Sequence, residues 1–345
     1  MILPLQSLRF IFALFIFLHH FQLFRAGGAS GVSFFMILSG FVMAAGYGGK
    51  VSGENFGYKK YMLKRIIRVY PLHLLCLAAF VAWHIASLTL RQCAALAPNA
   101  LLLQAWIPDR SFYFSGNAVS WCLSDMLFFY AVFPPLAKIM QKDARKTARC
   151  LLGIAAIYLA ACAFIPEKYA HPFIYINPLA RLLDFAMGIS LYYFVRSPSA
   201  SRLKNAAGKM GCAQKTLVEI FAFAPLALAV LAYPYAPPAF RLAPLFWLPS
   251  CIVIATFALL DNAGGALSCA LKNKYLVKAG AFSFTFYMIH QMFINAFNSM
   301  LGKLGIALAG WEKLPLCLIC AIALSYTVYR FIETPAAERL KAYIK

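Results

Sequence analysis

Arg9, His19 and His20 share one apolar run near the start of the chain, with Arg9 and His20 eleven positions apart. At 100° per residue that spacing leaves about 20° of net rotation and about 16 Å of rise, so the two share a helix face, while His19 points about 80° away from Arg9. An imidazole, with its ordinary pKa of about 6.5, suits proton abstraction near neutrality. A guanidinium suits holding a phosphate or a carbonyl oxygen. The other ionisable groups inside apolar runs are Asp125, Arg181, Asp184 and His290, with Tyr287 one turn before His290. A charge at the centre of a membrane helix costs about 2.5–3.5 kcal/mol on insertion scales, so each of these is a functional candidate by default. Structural roles compete. Arg9 can snorkel to a surface, His20 can make a helix–helix hydrogen bond, and Arg181 and Asp184 at i,i+3 can pair with each other.

The elements that must position these groups are membrane helices. Of 345 residues, 63% are hydrophobic and 12% are charged, against about 45–50% and about 25% in soluble domains. Mean hydropathy is +0.73. This composition excludes a disordered chain, a disulfide scaffold and an ordinary soluble enzyme, and it predicts an all-α integral membrane protein. Ten segments approach the roughly 20 residues a span requires: 5–24, 29–47, 70–89, 118–140, 150–165, 178–195, 217–233, 243–260, 279–299 and 312–332. A further run, 94–107, is short and ends at Trp106, Pro108 and Asp109, which reads as a re-entrant or interfacial segment.

The net charge of +21 resembles a nucleic-acid signal until its distribution is followed. Loop 48–69, segment 138–149, loops 196–216 and 261–278 and the end of the chain carry 23 of the 32 Lys and Arg residues. The alternate loops hold one or two each. By the positive-inside rule, both termini are cytoplasmic, and most of the charge reports orientation rather than nucleic acid. The first run also resembles a secretory signal; its His19–His20 pair fits a retained helix better. Ten cysteines are scattered through apolar runs, and Cys317-x-x-Cys320 has no second pair, so no metal site is expected. Gly46–Lys50 lacks the spacing of a phosphate loop.

With these orientations, Asp125, Arg181, Asp184 and His290 fall at depths near His20 in the outer half, and Arg9, Arg65 and Arg68 gather at the cytoplasmic end. A basic inner site would suit phosphates and a deeper outer site would suit proton transfer. Their separation is comparable with an extended phosphopantetheine arm. That is the layout expected if coenzyme A binds from the cytoplasm and presents its thioester to an acceptor on the far side.

Seven stretches in order then resemble the membrane-bound acyltransferase family 3, bacterial enzymes that O-acylate surface sugars. They are LQSLRFIFALFIFLHH (5–20), SFFMILSGFVM (33–43), KRIIRVYP (64–71), SWCLSDMLFFYAVFP (120–134), RLLDFAMG (181–188), FSFTFYMIHQ (282–291) and RFIETP (330–335). In the family's first helix an Arg is followed eleven positions on by a His, which selects His20 over His19. Asp125 stands where the family usually has Glu, Phe10 where a small residue is common, and Cys122 where Ser is.

The resemblance implies a single transmembrane acyltransferase domain over 1–345, without an appended extracytoplasmic hydrolase-like domain, in a bacterial inner membrane. Its donor would be an acyl-CoA, acetyl-CoA foremost, and its acceptor a sugar hydroxyl of a surface polysaccharide or lipid-linked glycan. On this reading His20 is the general base, or carries the acyl group covalently. Arg9 holds the donor or polarises its carbonyl, and Arg65 and Arg68 clamp CoA phosphates. Asp125 orients His20 or the acceptor, and Arg181, Asp184, Tyr287 and His290 line the glycan side. A transporter or flippase also uses intramembrane Arg, His and Asp, but it predicts repeat symmetry and matched broken spans, which the sequence lacks. A scaffold of a glycan-export complex, with these residues as interhelical bonds, is the third alternative.

Overall fold

The structure is a computed structural model that describes residues 2–261 and 264–344. Every regular element among them is helical. Seven helical segments among the described residues are long and apolar enough to cross a membrane: Leu3–His20, Gly27–Val51, Tyr58–Ser87, Ala118–Lys142, Pro178–Val195, Cys212–Ala232 and Gly310–Ala342. The chain is therefore a multi-pass membrane protein. Large apolar side chains left exposed, such as Leu152, Ile157, Phe164 and Leu231, form the surface that acyl chains cover.

Twelve helices suffice to describe the site. They are α1 (Leu3–His20), α2 (Gly27–Val51), α3 (Tyr58–His84), α4 (Leu90–Ala100), α5 (Trp121–Lys142), α6 (Ala144–Cys162), α7 (Pro178–Val195), α8 (Cys212–Phe221), α9 (Ala224–Ala232), α10 (Trp247–Leu259), α11 (Ser283–Lys303) and α12 (Gly310–Val328). Three of the ten expected spans fall outside the long apolar set. Segment 150–165 lies on α6, whose first turns carry Arg145, Lys146 and Arg149. Segment 243–260 becomes a short 3₁₀ turn followed by the 13-residue α10. Segment 279–299 overlaps α11, diluted by Ser, Thr, Tyr, His, Gln and Asn. Segment 217–233 is split between α8 and α9.

The basic stretch 48–69 is largely not a loop. α2 continues to Val51 and α3 starts at Tyr58, so Arg65 and Arg68 occupy a helix that passes through Pro71. Run 94–107 holds α4, 11 residues long and too short to span, opened by a Thr89–Gln92 capping box.

α2 is the central helix, packed against α1, α5, α7 and α10. Its approach to α7 depends on reciprocal glycines. A Cβ at Gly40 would run into the Phe185 carbonyl oxygen, and one at Gly188 into that of Ile37. The two backbones are thus in direct contact, as small residues allow in membrane bundles. α1 and α11 run side by side in one direction: Phe10 packs on Phe282 and Phe286 at one end, and His20 faces His290 at the other.

Candidate active site

Helix α1 is unbroken from Leu3 to His20, so it carries both Arg9 and His20 as rigid features. The expected rise of about 16 Å between them therefore applies. Arg9 makes no hydrogen bond or ion pair among the described residues, and its Nε is buried without a partner. It lines a cavity of about 100 Å³ together with Arg68, Tyr130 and Ser283; Cys122 and Tyr287 line the same cavity.

Arg68 donates to Glu333 Oε1 at 2.7 Å, and Thr285 donates its hydroxyl to the other carboxylate oxygen. Glu333 is only 3% exposed and ends a π-helical segment, Tyr329–Glu333, a local distortion common at functional sites. Arg9 also lies within electrostatic reach of Arg68 and Glu333. Glu333 offsets the charge of Arg68, and Arg9, which it does not contact, leaves one net positive charge beside the cavity.

Arg65 is placed differently from Arg68. Its guanidinium donates to the Tyr47 hydroxyl at 2.8 Å and stacks near the Tyr47 and Tyr130 rings, 4.9 and 5.8 Å from their centroids. Beside Tyr47, Lys50, Lys60 and Lys64 line a surface cleft of about 400 Å³. These lysines were visible in the sequence as part of a basic stretch. Lys50 ends α2 while Lys60 and Lys64 open α3, and only the packing of the two helices brings them to one cleft.

At the far end of α1, the His20 ring lies 5.0 Å from that of His290 and 5.3 Å from that of His19. His19 Nδ1 bonds the Arg25 carbonyl at 2.9 Å. His290 Nδ1 donates to the Tyr287 carbonyl at 2.6 Å, so its proton is on Nδ1 and its lone pair on Nε2. That Nε2 is buried and has no partner. Tyr287 is held in turn, donating its hydroxyl to the Val119 carbonyl at 2.9 Å. His290, expected on the glycan side, is thus the nearest ring neighbour of His20.

Asp125, Arg181 and Asp184 are brought together elsewhere. Arg181 pairs with Asp184 at 3.2 Å, with both side chains fully buried, and donates to Ser33 Oγ at 3.2 Å. The charges facing Asp125 are Arg181 and Asp184, and neither of its oxygens has a hydrogen-bond partner. It makes no contact that would orient His20. These polar residues therefore divide into a histidine pair on α1 and α11 and a carboxylate–arginine cluster on α5 and α7. Among the described residues no group of three or more His, Cys, Asp or Glu could hold a metal ion.

The sequence profile of acyltransferase family 3, described as an acyltransferase domain, matches residues 4–330. The chain belongs to that family. Membership makes it an acyltransferase, and the matched stretch runs from α1 through Arg9 and His20 to the edge of the segment that holds Glu333. The acyltransferase is also 28% identical over 338 residues to the acyltransferase MdmB of Streptomyces mycarofaciens, covering 91% of this chain and 82% of that protein. No solved structure matches. Glu333, Thr285, Tyr47 and Tyr130 are the site residues that sequence reasoning passed over. RFIETP was recognised as a matching stretch, but its carboxylate has no partner within its own helix, so no local spacing marked it.

Proposed function

We propose that this acyltransferase moves a short acyl group, acetyl foremost, from cytoplasmic acyl-CoA to a sugar hydroxyl of a surface polysaccharide or lipid-linked glycan in a bacterial inner membrane, with ten spans, both termini cytoplasmic and residues 1–345 acting as one domain. The observation that carries this reading is helix α1. It holds an arginine without a partner among the described residues beside a cavity at one level, and about 16 Å away a histidine whose ring packs on a second histidine. One elongated ligand can touch both. A phosphate-bearing donor would be gripped at the basic end while its thioester lies near His20.

The separation assigns Arg9 to holding the donor rather than polarising the carbonyl that His20 serves. His20 takes the proton of the acceptor hydroxyl as its oxygen attacks the thioester carbonyl carbon. The carbon–sulfur bond breaks, and the thiol leaves with the proton that His20 carried. His290, with Nδ1 fixed by the Tyr287 carbonyl, sets an unprotonated Nε2 beside this exchange, its ring packed against that of His20. Lys50, Lys60 and Lys64 would meet the outer phosphates as point charges, and Arg68 the inner ones.

The test uses membranes containing the protein, radiolabelled acetyl-CoA and the glycan of the host cell, comparing wild type with His20→Ala. Label in the glycan with wild type and none with the variant is the expected result. Equal transfer by the variant would remove His20 from the chemistry. No transfer by wild type onto verified substrate would remove the donor and acceptor assignment.

A further inference from the structure

At the end of α1 that carries the histidines lies a pocket of about 330 Å³ walled by His19, Gln22, Arg25, Tyr233, Pro234 and Arg241. Three stretches far apart in the chain meet there: the turn between α1 and α2, the residues that follow α9, and the short helix Pro238–Leu242. The segments that join α1 to α2 and α9 to α10 hold one basic residue each, Arg25 and Arg241, and neither contains an Asp or Glu. Both arginines reach the same pocket. Both also lie within electrostatic reach of Tyr233, with the Arg241 guanidinium 5.9 Å from the centroid of its ring.

Two guanidiniums on one pocket repel each other, and an anion bound between them relieves that repulsion. Arg25 is exposed and makes no ion pair among the described residues. Arg241 has one, to Glu167 at 3.7 Å, but that carboxylate is 75% exposed and a long surface pair contributes little against a competing anion. Gln22 has φ 64, in the left-handed region that glycine occupies most cheaply, so its amide reaches the wall at a backbone cost. His19 is steadied by the bond from Nδ1 to the Arg25 carbonyl at 2.9 Å, and its ring is 5.3 Å from that of His20. Among the described residues the wall holds no Leu, Ile, Val, Met or Phe, so nothing in it suits an acyl chain. Tyr233 offers instead an aromatic face with a polar tip.

We propose that this pocket binds the acidic group of a charged saccharide, a carboxylate or phosphate held by Arg25 and Arg241 while Tyr233 and Gln22 meet the ring and its hydroxyls. The forked N–H donors of a guanidinium match the paired oxygens of either anion. The volume lies within the roughly 300–1,000 Å³ usual for small-molecule sites. The pocket therefore selects for charge: a neutral sugar of the same shape loses the contacts that both arginines supply. That the saccharide held here is also the one acylated at His20 rests on the acyl-transfer reading; the binding does not.

The experiment is saturation-transfer NMR on the full-length protein in phosphatidylcholine nanodiscs, at about 0.01 M ionic strength, where exposed charges are weakly screened. The probes are methyl glucuronoside and methyl glucoside, the same ring with and without a carboxylate. The glucuronoside is expected to give at least fivefold more signal than the glucoside, and inorganic phosphate is expected to displace it. Arg25→Gln and Arg241→Gln are each expected to cut the glucuronoside signal at least fivefold with an unchanged thermal transition. Glu167→Gln, which frees Arg241 of its competing carboxylate, is expected to raise it. Equal signals from the two sugars, or a glucuronoside signal indifferent to both arginine variants, would overturn the assignment. Displacement by glycerophosphoglycerol, a lipid headgroup without its chains, at lower concentration than by glucuronoside itself would overturn the saccharide in favour of a lipid phosphate. No acyl-CoA enters this assay, so transfer from labelled acetyl-CoA, measured on the same samples, separates the two readings. Binding without transfer supports the pocket and removes the acyl-CoA reading; transfer without binding does the reverse.

Discussion

The ring of His290 stands 5.0 Å from that of His20, and its Nδ1 proton is committed to the Tyr287 carbonyl. This fixes one nitrogen of the pair and leaves Nε2 of His290 as a buried lone pair. If His20 is the base, its loss is expected to lower kcat by about 10²–10⁴, the usual contribution of general-base catalysis. His290→Gln, which keeps a polar group of similar reach, is expected to lower kcat less, by about tenfold, and to leave the KM for acyl-CoA unchanged. Initial rates at saturating and limiting acyl-CoA check both. A His290→Gln enzyme with altered donor KM and unchanged kcat would place His290 in donor binding instead.

Arg9 makes its own prediction because its buried Nε has no partner among the described residues. Arg9→Lys retains the charge but loses the planar fork that holds a phosphate or carbonyl through two bonds. The expected outcome is a roughly tenfold rise in the KM for acyl-CoA with little change in kcat. Arg9→Gln is expected to do more. A lysine variant with reduced kcat and normal KM would move Arg9 into the chemical step.

Lys60 and Lys64 line an open cleft, so their effect on an anionic donor is a screened Coulomb interaction. Replacing both by Ala is expected to raise the acyl-CoA KM several-fold at about 0.01 M ionic strength, where the Debye length is about 30 Å. The difference from wild type is expected to shrink towards about 1 M, where that length is about 3 Å. A KM ratio independent of salt would count against phosphate contact there.

Arg68 and Glu333 are coupled through their 2.7 Å contact, and Thr285 ties the same carboxylate to α11. Removing either charge leaves the other in a partly dry site, so each single change is expected to lower the thermal transition of the detergent-solubilised protein. The double variant Arg68→Ala with Glu333→Gln is expected to be less damaged than the sum of the two, by an interaction of about 0.5–3 kcal/mol. Strict additivity would mean that the pair contributes nothing jointly. Arg68 is 37% exposed, which puts the expected coupling towards the lower end of that range.

Much of this arrangement was legible in the sequence because membrane helices leave strong local signals. The eleven-residue spacing of Arg9 and His20 survives intact, since a straight helix converts spacing into face and rise without help from the rest of the fold. Depth along the spans put Asp125, Arg181 and Asp184 in one group with His20 and His290, and the structure brings the first three near one another. Depth could not separate them from the histidines, because it is one coordinate and position around the bundle is another. Which helix neighbours which follows from contacts such as Gly40 on Phe185 and Phe10 on Phe286, far apart in the chain. Glu333 escaped for the same reason: its partners, Arg68 and Thr285, are 265 and 48 positions away.

The contact between α2 and α7 yields the sharpest stability prediction. Ala normally favours a helix over Gly by about 0.8–1.0 kcal/mol, so on an isolated helix Gly40→Ala would be stabilising. Here the added methyl meets the Phe185 carbonyl oxygen, which belongs to backbone and cannot rotate away. Relief requires α7 to move off α2, at the usual overpacking cost of about 1–3 kcal/mol, which outweighs the propensity gain. The same shift would carry Arg181 away from Ser33, because that hydrogen bond spans the two helices. Gly40→Ala and Gly188→Ala are both expected to lower the thermal transition in detergent, whereas Gly49→Ala, where an added methyl meets nothing within 4 Å, is expected to leave it unchanged or raise it. A Gly40→Ala protein as stable as wild type would mean that α2 and α7 do not meet backbone to backbone.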